Sequence, residues 1–313
     1  MRVLLTGSSG WLGRFLAPML AEQGHDVTGF DIAPGEYTGI VGSVSDRSMV
    51  DRAFSNADID AVIHAGGLHK PDIVRFRARG FVDVNVQGTL NLLEASRATG
   101  VDRFIFTSTT SLMISQAMRD EAFGEAVWLD EAHAPLEPRN IYGVTKLAAE
   151  QLCRLHFLEH GLNCIVLRPS RFFPEEDDTL RNLCGDNQKA NEFLHRRLTV
   201  EDAARAHIRA LEMAPALGFD TFILSAPTPF MREDTNDLKR DAKAVIERLF
   251  PDAVRLFARR GWQLPESISR VYDSSRSQSV LGVRYDTSFS NILTALRESE
   301  DLPFATDRSP DCE

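Results

Sequence analysis

The alternation of short apolar runs with amphipathic stretches constrains the fold of this 313-residue chain more than any other feature. Runs rich in Val, Ile, Leu and Phe predict strands, and apolar residues recurring every three or four positions predict helices. The predicted strands cover residues 2–6, 26–31, 61–64, 103–107, 163–167 and 221–225. The predicted helices cover residues 11–23, 45–54, 82–99, 141–160, 199–213, 237–249 and 287–298. Strands that alternate with helices form a parallel sheet covered on both faces, so the sequence predicts an α/β, doubly wound fold.

Charge and cysteine usage exclude several classes of function. The formal net charge is −10 and Lys and Arg form no cluster, which argues against nucleic acid or an anionic membrane as a partner. Because Cys153, Cys164, Cys184 and Cys312 have no CxxC spacing and none shared with histidine, we expect reduced thiols and no metal site. We interpret the acidic run at residues 175–178 as an exposed loop. We see neither a leader before the first strand nor a run long enough to span a bilayer, and expect a cytoplasmic protein.

A glycine-rich segment joins the first predicted strand to the first predicted helix. It reads Thr6-Gly7-Ser8-Ser9-Gly10-Trp11-Leu12-Gly13, with glycines at every third position. Glycines there allow a tight turn and let backbone amides approach a pyrophosphate at the positive end of the helix. The position between strand and helix is the context that a dinucleotide-binding motif requires.

The second predicted strand ends at Asp31. A carboxylate at that point can accept hydrogen bonds from the ribose hydroxyls of adenosine and repels a 2′-phosphate. The sequence therefore favours NAD over NADP. The alternative interpretation is that Asp31 is only a turn residue at the end of the strand.

Tyr142 and Lys146 stand four positions apart in the predicted helix at residues 141–160. This spacing places both side chains on one helix face, and a nearby cation is expected to lower the pKa of a phenol toward neutral pH. A tyrosine tuned in this way can exchange a proton with an alcohol. On its own the pair is more typical of a solvent-exposed helix than of a catalytic site, and the catalytic interpretation depends on the motifs that precede it.

Further motifs follow in a fixed order: His64-Ala65-Gly66-Gly67, Asn85 with Gly88-Thr89, Thr107-Ser108-Thr109 and Leu167-Arg168-Pro169. Together with the glycine-rich segment, Asp31, Tyr142 and Lys146, they make the chain resemble the extended short-chain dehydrogenase/reductases. This is the group of NAD-dependent epimerases, dehydratases and reductases with a Rossmann domain. The resemblance runs from Met1 to about Leu211 and resumes between Tyr272 and Tyr285.

The resemblance implies a role for particular residues. Thr109 would bind the reacting oxygen beside Tyr142, Lys146 would bind the nicotinamide ribose, and Asn85 would brace the site or simply bridge backbone groups. The implied catalytic residues are Thr109, Tyr142 and Lys146. The implied cofactor-binding residues are Gly7, Ser9, Gly10, Trp11, Leu12, Gly13, Asp31, Ser43, Val44, His64, Ala65, Gly66, Gly67, Thr107, Tyr142, Lys146 and Pro169.

Two departures from the family pattern narrow the reaction. The chain has Ser43 where the family often has an acid that contacts adenine, so this contact is expected from Ser43 or the backbone near Val44. Thr110-Ser111 follows Thr109 in place of the acidic pair of sugar-nucleotide dehydratases, which argues against dehydration.

The substrate is predicted to be small and polar, such as a sugar or a sugar acid. The interval between Pro174 and Arg196 is short for gripping a nucleotide diphosphate, and Phe173-Pro174-Glu175 with nearby arginines resembles the uronate dehydrogenases. The predicted substrate contacts are His69, Lys70, Thr109, Thr110, Ser111, Arg171 and Arg181, with an arginine for a carboxylate. The alternatives are a nucleotide-sugar 4-epimerase with bound NAD and a dinucleotide-sensing protein without catalysis.

The sequence predicts two domains. Residues 1–168 and about 199–225 would form the dinucleotide-binding domain, and about 169–198 and 226–313 a smaller, interleaved substrate lobe. The helices near residues 83–99 and 141–160 carry more apolar surface than one sheet contact needs. They are expected to form a homodimer interface or to pack in the core.

Overall fold

The computed structural model of the chain describes residues 1–55, 58–173 and 185–304. Seven parallel strands form the main sheet, in the order β3-β2-β1-β4-β5-β7-β8. They are β1 (Arg2–Thr6), β2 (Asp26–Asp31), β3 (Ile40–Val41), β4 (Ala61–His64), β5 (Arg103–Thr107), β7 (Asn163–Pro169) and β8 (Phe219–Leu224), and β6 (Val127–Leu129) pairs separately with β9 (Arg270–Tyr272). The strand order reverses between β1 and β4, where doubly wound sheets bind ligands at the carboxyl ends of the strands.

Helices follow most strands. They are α1 (Trp11–Glu22), α2 (Arg47–Ser55), α3 (Ala78–Phe81), α4 (Gly88–Thr99), α5 (Gln116–Arg119), α6 (Ile141–His160), α7 (Gly185–Glu192), α8 (Val200–Leu217), α9 (Thr235–Leu249), α10 (Ala253–Arg259), α11 (Ser275–Ser279) and α12 (Phe289–Glu298). A π-helical segment, Val82–Gln87, joins α3 to α4, and short 3₁₀ turns cover Lys70–Val74, Thr110–Met113 and Arg232–Asp234.

Two apolar layers cover the sheet and confirm the predicted α/β, doubly wound fold. Side chains of α1 and α8 pack on one face, and side chains of α2, α4 and α6 pack on the other. A further cluster is formed mainly by α7, α9, α10 and α12. No helix of the described residues is both long and apolar enough to cross a membrane.

The structure corrects several element boundaries. The helix predicted at residues 82–99 is preceded by α3 and starts with the π-helical segment, and the strand predicted at residues 221–225 begins at Phe219. No helix was predicted between the strand at residues 163–167 and the helix at residues 199–213, but α7 lies in this interval. The short strands β3, β6 and β9 were not predicted, because two or three residues carry too little periodicity to indicate a strand.

Candidate active site

The glycine-rich segment has the shape that a dinucleotide requires. Gly7 has a φ of +76°, and a Cβ atom there would lie 2.7 Å from the backbone nitrogen of Gly66. A Cβ atom on Gly13 would lie 2.1 Å from the carbonyl oxygen of Gly7. Helix α1 begins directly after Gly10, which has no side chain to cap its amides. This tight turn at a helix N-terminus fits the pyrophosphate of NAD.

Other residues of the segment fix its position. The Trp11 indole nitrogen donates to the Phe172 carbonyl oxygen at 3.1 Å, and Leu12 is buried in the core against the sheet. Trp11 therefore joins the glycine-rich segment to the chain that follows β7. The sequence did not indicate this contact, because the two residues are 161 positions apart.

Asp31 lies at the carboxyl end of β2 beside the glycine-rich segment. Its carboxylate accepts a hydrogen bond from the backbone nitrogen of Ser9 at 3.0 Å and from that of Ala33 at 3.0 Å. The position agrees with the one expected for an acid that contacts the adenosine ribose. Its carboxylate also holds the loop itself, so the turn interpretation and the ribose interpretation are compatible.

Ser43 and Val44 lie in the loop that follows β3. The hydroxyl of Ser43 is 2.7 Å from that of Ser45. Val44 is buried, and its carbonyl oxygen accepts a hydrogen bond from the Asn91 side chain at 3.0 Å. A Cβ atom on Gly88 would lie 2.6 Å from the Cγ2 atom of Val44. The loop is thus held firmly against α4.

His64 is a structural residue at the end of β4. One ring nitrogen is 2.7 Å from the Thr6 hydroxyl oxygen and the other is 3.1 Å from that of Thr89. Burial lowers the pKa of His64 to about 3, and the Lys146 charge adds to the shift, so the ring is neutral at neutral pH. The Thr6 hydroxyl also accepts from the backbone nitrogen of Gly66 at 3.1 Å. Ala65 and Gly66 consequently lie against the glycine-rich turn.

The π-helical segment positions Asn85 beneath the loop after β4. Its side chain accepts from the backbone nitrogen of Leu68 at 2.8 Å and donates to the carbonyl oxygen of the same residue at 2.9 Å. It also donates to the Thr145 hydroxyl at 3.1 Å. A Cβ atom on Gly67 would lie 2.9 Å from the Asn85 oxygen and 3.4 Å from the Lys146 nitrogen. Asn85 thus braces the loop against α6.

Tyr142 occupies the first turn of α6. The Asn140 side chain caps this helix by accepting from the backbone nitrogen of Gly143 at 2.9 Å. Burial raises the pKa of Tyr142 to about 12, a hydrogen bond with Thr109 opposes this shift, and the Asp72 charge adds to it. Thr109 follows β5 and also accepts from the backbone nitrogen of Ser111 at 3.0 Å. The structure therefore brings Tyr142 and Thr109 together, as predicted.

The predicted lowering of the Tyr142 pKa by Lys146 is wrong for this structure. The Lys146 ammonium donates to the Thr107 carbonyl oxygen at 2.8 Å and lies 4.7 Å from the centre of the Phe106 ring. Desolvation of the phenol outweighs any nearby cation. Burial likewise lowers the pKa of Lys146 to about 8, against the raising effects of Cys153 and Glu150.

A buried ion pair lies one helical turn beyond Lys146. Glu150 binds Arg168 through both carboxylate oxygens, at 2.9 and 2.7 Å, and accepts from the Ser108 hydroxyl at 2.6 Å. This contact joins α6 to β7. Spacing of four from Lys146 is a signal that could have identified Glu150 in the sequence.

The remaining cofactor candidates belong to the ends of β5 and β7. The Thr107 hydroxyl is 2.8 Å from a ring nitrogen of His207, so only its carbonyl group is directed to Lys146. Pro169 is the last residue of β7, and its carbonyl oxygen accepts from the Thr110 hydroxyl at 3.3 Å.

The predicted substrate contacts fall into three groups: residues near the site, residues with structural partners, and residues outside the part of the chain that the structure describes. His69 begins the 3₁₀ turn that contains Lys70, and Ser111 is partly exposed beside Thr109. Thr110 is buried and bonded to Pro169, so it has a structural role. Arg171 lies 3.3 Å from the buried carboxylate of Glu192. Arg181 and the acidic run at residues 175–178 lie outside the described residues.

Within the ranges described, no group of three or more His, Cys, Asp or Glu side chains could hold a metal ion. Cys153 and Cys164 are free, buried thiols. Asp72 was missed by the sequence analysis, although an acid three positions after His69 is the spacing of a helix-capping pair.

The sequence profile of the NAD dependent epimerase/dehydratase family matches residues 3–219. The chain belongs to this family, which confirms the predicted resemblance and NAD as the cofactor.

Two relatives of the chain are named dehydrogenases. A 3-beta-hydroxysteroid dehydrogenase of Mycolicibacterium neoaurum is 31% identical over 57% of this chain and 50% of its own length. A uronate dehydrogenase of Pseudomonas syringae pv. tomato is 29% identical over 56% of this chain and 60% of its own length. The matches therefore span between half and two thirds of these relatives.

A solved structure reproduces the fold over almost the whole chain. It is a short-chain dehydrogenase/reductase superfamily protein from Agrobacterium tumefaciens with bound NAD. Its TM-score is 0.66 at 22% identity, and the match covers 96% of this chain and 98% of the other. At this identity the likeness establishes the fold alone.

Proposed function

We propose that the protein is an NAD-dependent oxidoreductase that transfers a hydride between the nicotinamide and a small polar alcohol or carbonyl compound. The observation that carries this proposal is the buried Tyr142, whose pKa is raised by burial against the lowering effect of the neighbouring Thr109 hydroxyl, and which is followed one turn later by Lys146. These residues lie at the carboxyl edge of the sheet, where the glycine-rich segment also lies. A cofactor sensor without catalysis has no need for this arrangement.

Each residue has a distinct task in the proposed reaction. Gly7, Gly10 and Gly13 would bind the pyrophosphate, and Asp31 would bind the adenosine ribose. Bound NAD supplies the hydride acceptor and, when oxidised, a positive charge. Thr109 orients the substrate oxygen, and Tyr142 takes the hydroxyl proton in oxidation or donates it in reduction.

Lys146 supports this chemistry by its position. Its ammonium is fixed by the Thr107 carbonyl, beside Gly67, and is available to a ribose hydroxyl at that place. Burial around Tyr142 and Lys146 keeps water away from the reacting groups, which strengthens their interactions with substrate.

The substrate lobe would comprise about residues 169–198 and 226–313, of which the structure describes residues 169–173, 185–198 and 226–304. His69 and Ser111 are the described side chains that we assign to the substrate. The similarity to a uronate dehydrogenase favours a sugar or a sugar acid as the substrate of this protein. The similarity to a 3-beta-hydroxysteroid dehydrogenase makes a different alcohol the alternative.

A panel of alcohols tests the proposed function. Purified protein is incubated with NAD and free sugars, sugar acids, hydroxysteroids or nucleotide sugars, and NADH formation is followed. We expect net NADH with a free substrate, and we expect Tyr142→Phe to abolish turnover while NAD affinity stays nearly unchanged. Unchanged turnover in this variant would refute the catalytic assignment.

The same assay distinguishes the alternatives. A nucleotide-sugar 4-epimerase would convert its substrate without net NADH and would retain its cofactor through purification, because it must regenerate NAD. A sensing protein would bind NAD and convert none of the panel. NADP added in place of NAD tests the preference assigned to Asp31.

A homodimer through α6 is part of the proposal. Val144, Leu155 and Leu158 have exposed fractions of 46%, 43% and 65%, and they belong to the apolar stripe predicted for this helix. The buried face of α6 contains Lys146 and Glu150 instead. The exposed stripe supports the interface interpretation over simple core packing.

A further inference from the structure

His69 and Asp72 form a pair at the start of the 3₁₀ turn after β4. A single carboxylate oxygen of Asp72 accepts from the His69 backbone nitrogen at 2.9 Å and lies 2.6 Å from the Nδ1 atom of the ring. The side chain of Asp72 is 14% exposed and that of His69 is 35% exposed. The carboxylate thus fixes the orientation of a ring that reaches solvent.

The loop that leads into the turn of this pair packs on Tyr142. Leu68, the residue before His69, forms a buried cluster with Tyr142 and Phe81. Asn85 holds both backbone groups of Leu68 and also binds Thr145 in α6. The spacing between the pair and the phenol is therefore fixed by three separate contacts.

The titratable groups on the nearest elements are Asp72 and Lys70 in the turn of His69 and Tyr142 and Lys146 in α6. The apolar neighbour of the ring is Phe173, after β7, whose ring centre lies 5.2 Å from that of His69. Burial raises the pKa of Tyr142, and the Asp72 charge adds to this shift.

The proposed reaction requires a path for one proton. Oxidation of an alcohol by NAD moves the electron pair of the C–H bond to the nicotinamide and leaves one proton to be released. Tyr142 is only 9% exposed, and the Lys146 ammonium is bonded to the Thr107 carbonyl. The His69 side chain is 35% exposed, and the residue before it packs against Tyr142.

We propose that His69, held by Asp72, carries the proton between Tyr142 and solvent. With Nδ1 donating to the carboxylate, Nε2 of the neutral ring is the basic nitrogen. During oxidation the Tyr142 hydroxyl passes its own proton to Nε2 as the substrate O–H bond breaks and the substrate proton passes to the Tyr142 oxygen. Tyr142 ends the step as a neutral phenol, Asp72 stabilises the resulting imidazolium, and the imidazolium releases its proton to water. Asp72 is a positioning residue because it acts through His69. This inference rests on the proposed function.

The first experiment does not depend on turnover. Nitrogen-15 NMR of protein labelled at the histidine rings reports which ring nitrogen carries the proton. The signal of His69 is the one that is missing from the spectrum of His69→Gln. In the wild type we expect His69 to be protonated at Nδ1 at about pH 8, and Asp72→Asn to shift the neutral ring toward the Nε2 tautomer. A wild-type ring protonated at Nε2, or no change in Asp72→Asn, would overturn the proposal.

The second experiment measures turnover with the substrate found in the panel. We expect His69→Ala to reduce kcat on the order of 10²-fold, to leave NAD affinity unchanged, and to regain activity when imidazole is added. His25→Ala is the matched control, since that ring lies beside the amino terminus. Wild-type kcat in His69→Ala from about pH 6 to about 9, or a loss that imidazole does not relieve, would overturn the proton-carrier role.

The two experiments separate the two proposals. If the wild type forms no product from any alcohol, the proposed function fails while the NMR measurement still decides on the His69–Asp72 pair. If the wild type is active and His69→Ala keeps its turnover, the proton-carrier proposal fails alone.

Discussion

Replacement of Lys146 by methionine should stabilise the protein while removing its activity. Burial lowers the pKa of this side chain from 10.5 to about 8, so the difference is about 2.5 units. At about 1.36 kcal/mol per unit, the charged form costs about 3 kcal/mol in the folded state. Methionine fills a similar volume without charge, but the Thr107 carbonyl loses its donor, which costs about 1 to 2 kcal/mol. We therefore expect a net gain of about 1 to 2 kcal/mol near pH 7.

The effect has a defined pH dependence. Because the folded pKa of Lys146 lies below the unfolded value, the unfolded chain binds the additional proton between about pH 8 and 10.5. The cost is fully present below pH 8 and disappears as the pH rises through this window. The advantage of Lys146→Met should thus be largest below pH 8 and should shrink toward pH 10.5.

Urea unfolding followed by tryptophan fluorescence measures both quantities. The free energies of unfolding of the wild type and Lys146→Met are compared at about pH 7 and about pH 9.5 without added cofactor, because bound NAD adds stability of its own. Lys243→Met, at an exposed position on α9, is the control and should change stability little at either pH. A Lys146→Met variant that is less stable than the wild type at pH 7, or a difference that does not depend on pH, would refute this account of Lys146.

Two further substitutions test the cofactor turn and the proposed interface. Gly13→Ala should lower NAD affinity by at least tenfold and destabilise the protein, because its Cβ atom would lie 2.1 Å from the Gly7 carbonyl oxygen. Binding titration measures the affinity and thermal unfolding measures the stability, and a wild-type affinity would contradict the tight-turn interpretation. The double substitution Leu155→Glu and Leu158→Glu should convert a dimer to a monomer in sedimentation without loss of helix, since charge on an apolar interface is strongly unfavourable. Arg154→Glu, on the same helix, is the matched control, and an unchanged mass in the double variant would argue against the α6 interface.

The strands of the sheet were predictable because a parallel strand buried on both faces must be a short apolar run. The predictions at residues 2–6, 26–31, 61–64 and 103–107 match the observed bounds. Strand order then explains why Thr109 and Tyr142, which are 33 positions apart, meet at the carboxyl edge of the sheet. The sequence could therefore identify the elements that carry the site.

Helix α7 could not be predicted from its composition. It reads Gly185-Asp186-Asn187-Gln188-Lys189-Ala190-Asn191-Glu192, and all of these except Asp186 are buried. A stretch that is polar all round normally predicts a solvated segment. Its burial depends on tertiary partners, such as the three arginines Arg171, Arg196 and Arg197 around Glu192.

The electrostatics of the site were beyond sequence reasoning for a similar reason. Spacing predicted the meeting of Tyr142 and Lys146 on one helix face, but the direction of the Tyr142 pKa shift depends on desolvation. That desolvation comes from Leu68 and Phe81, which belong to the loop after β4 and to α3. Asp72 contributes from the same distant segment.

Helix α6 shows how the chemistry of the site constrains the rest of the molecule. Its inward face holds Tyr142, Lys146 and Glu150, so it gives up much of the apolar burial that usually fixes a helix to a sheet. Specific polar contacts replace it, namely the Asn140 cap and the ion pair between Glu150 and Arg168. Three apolar residues of α6, namely Val144, Leu155 and Leu158, are exposed, whereas Ala149 and Cys153 pack in the core. The proposed dimer interface would cover these three side chains, so the polar groups that serve catalysis and the apolar groups proposed for association lie on different faces of one helix.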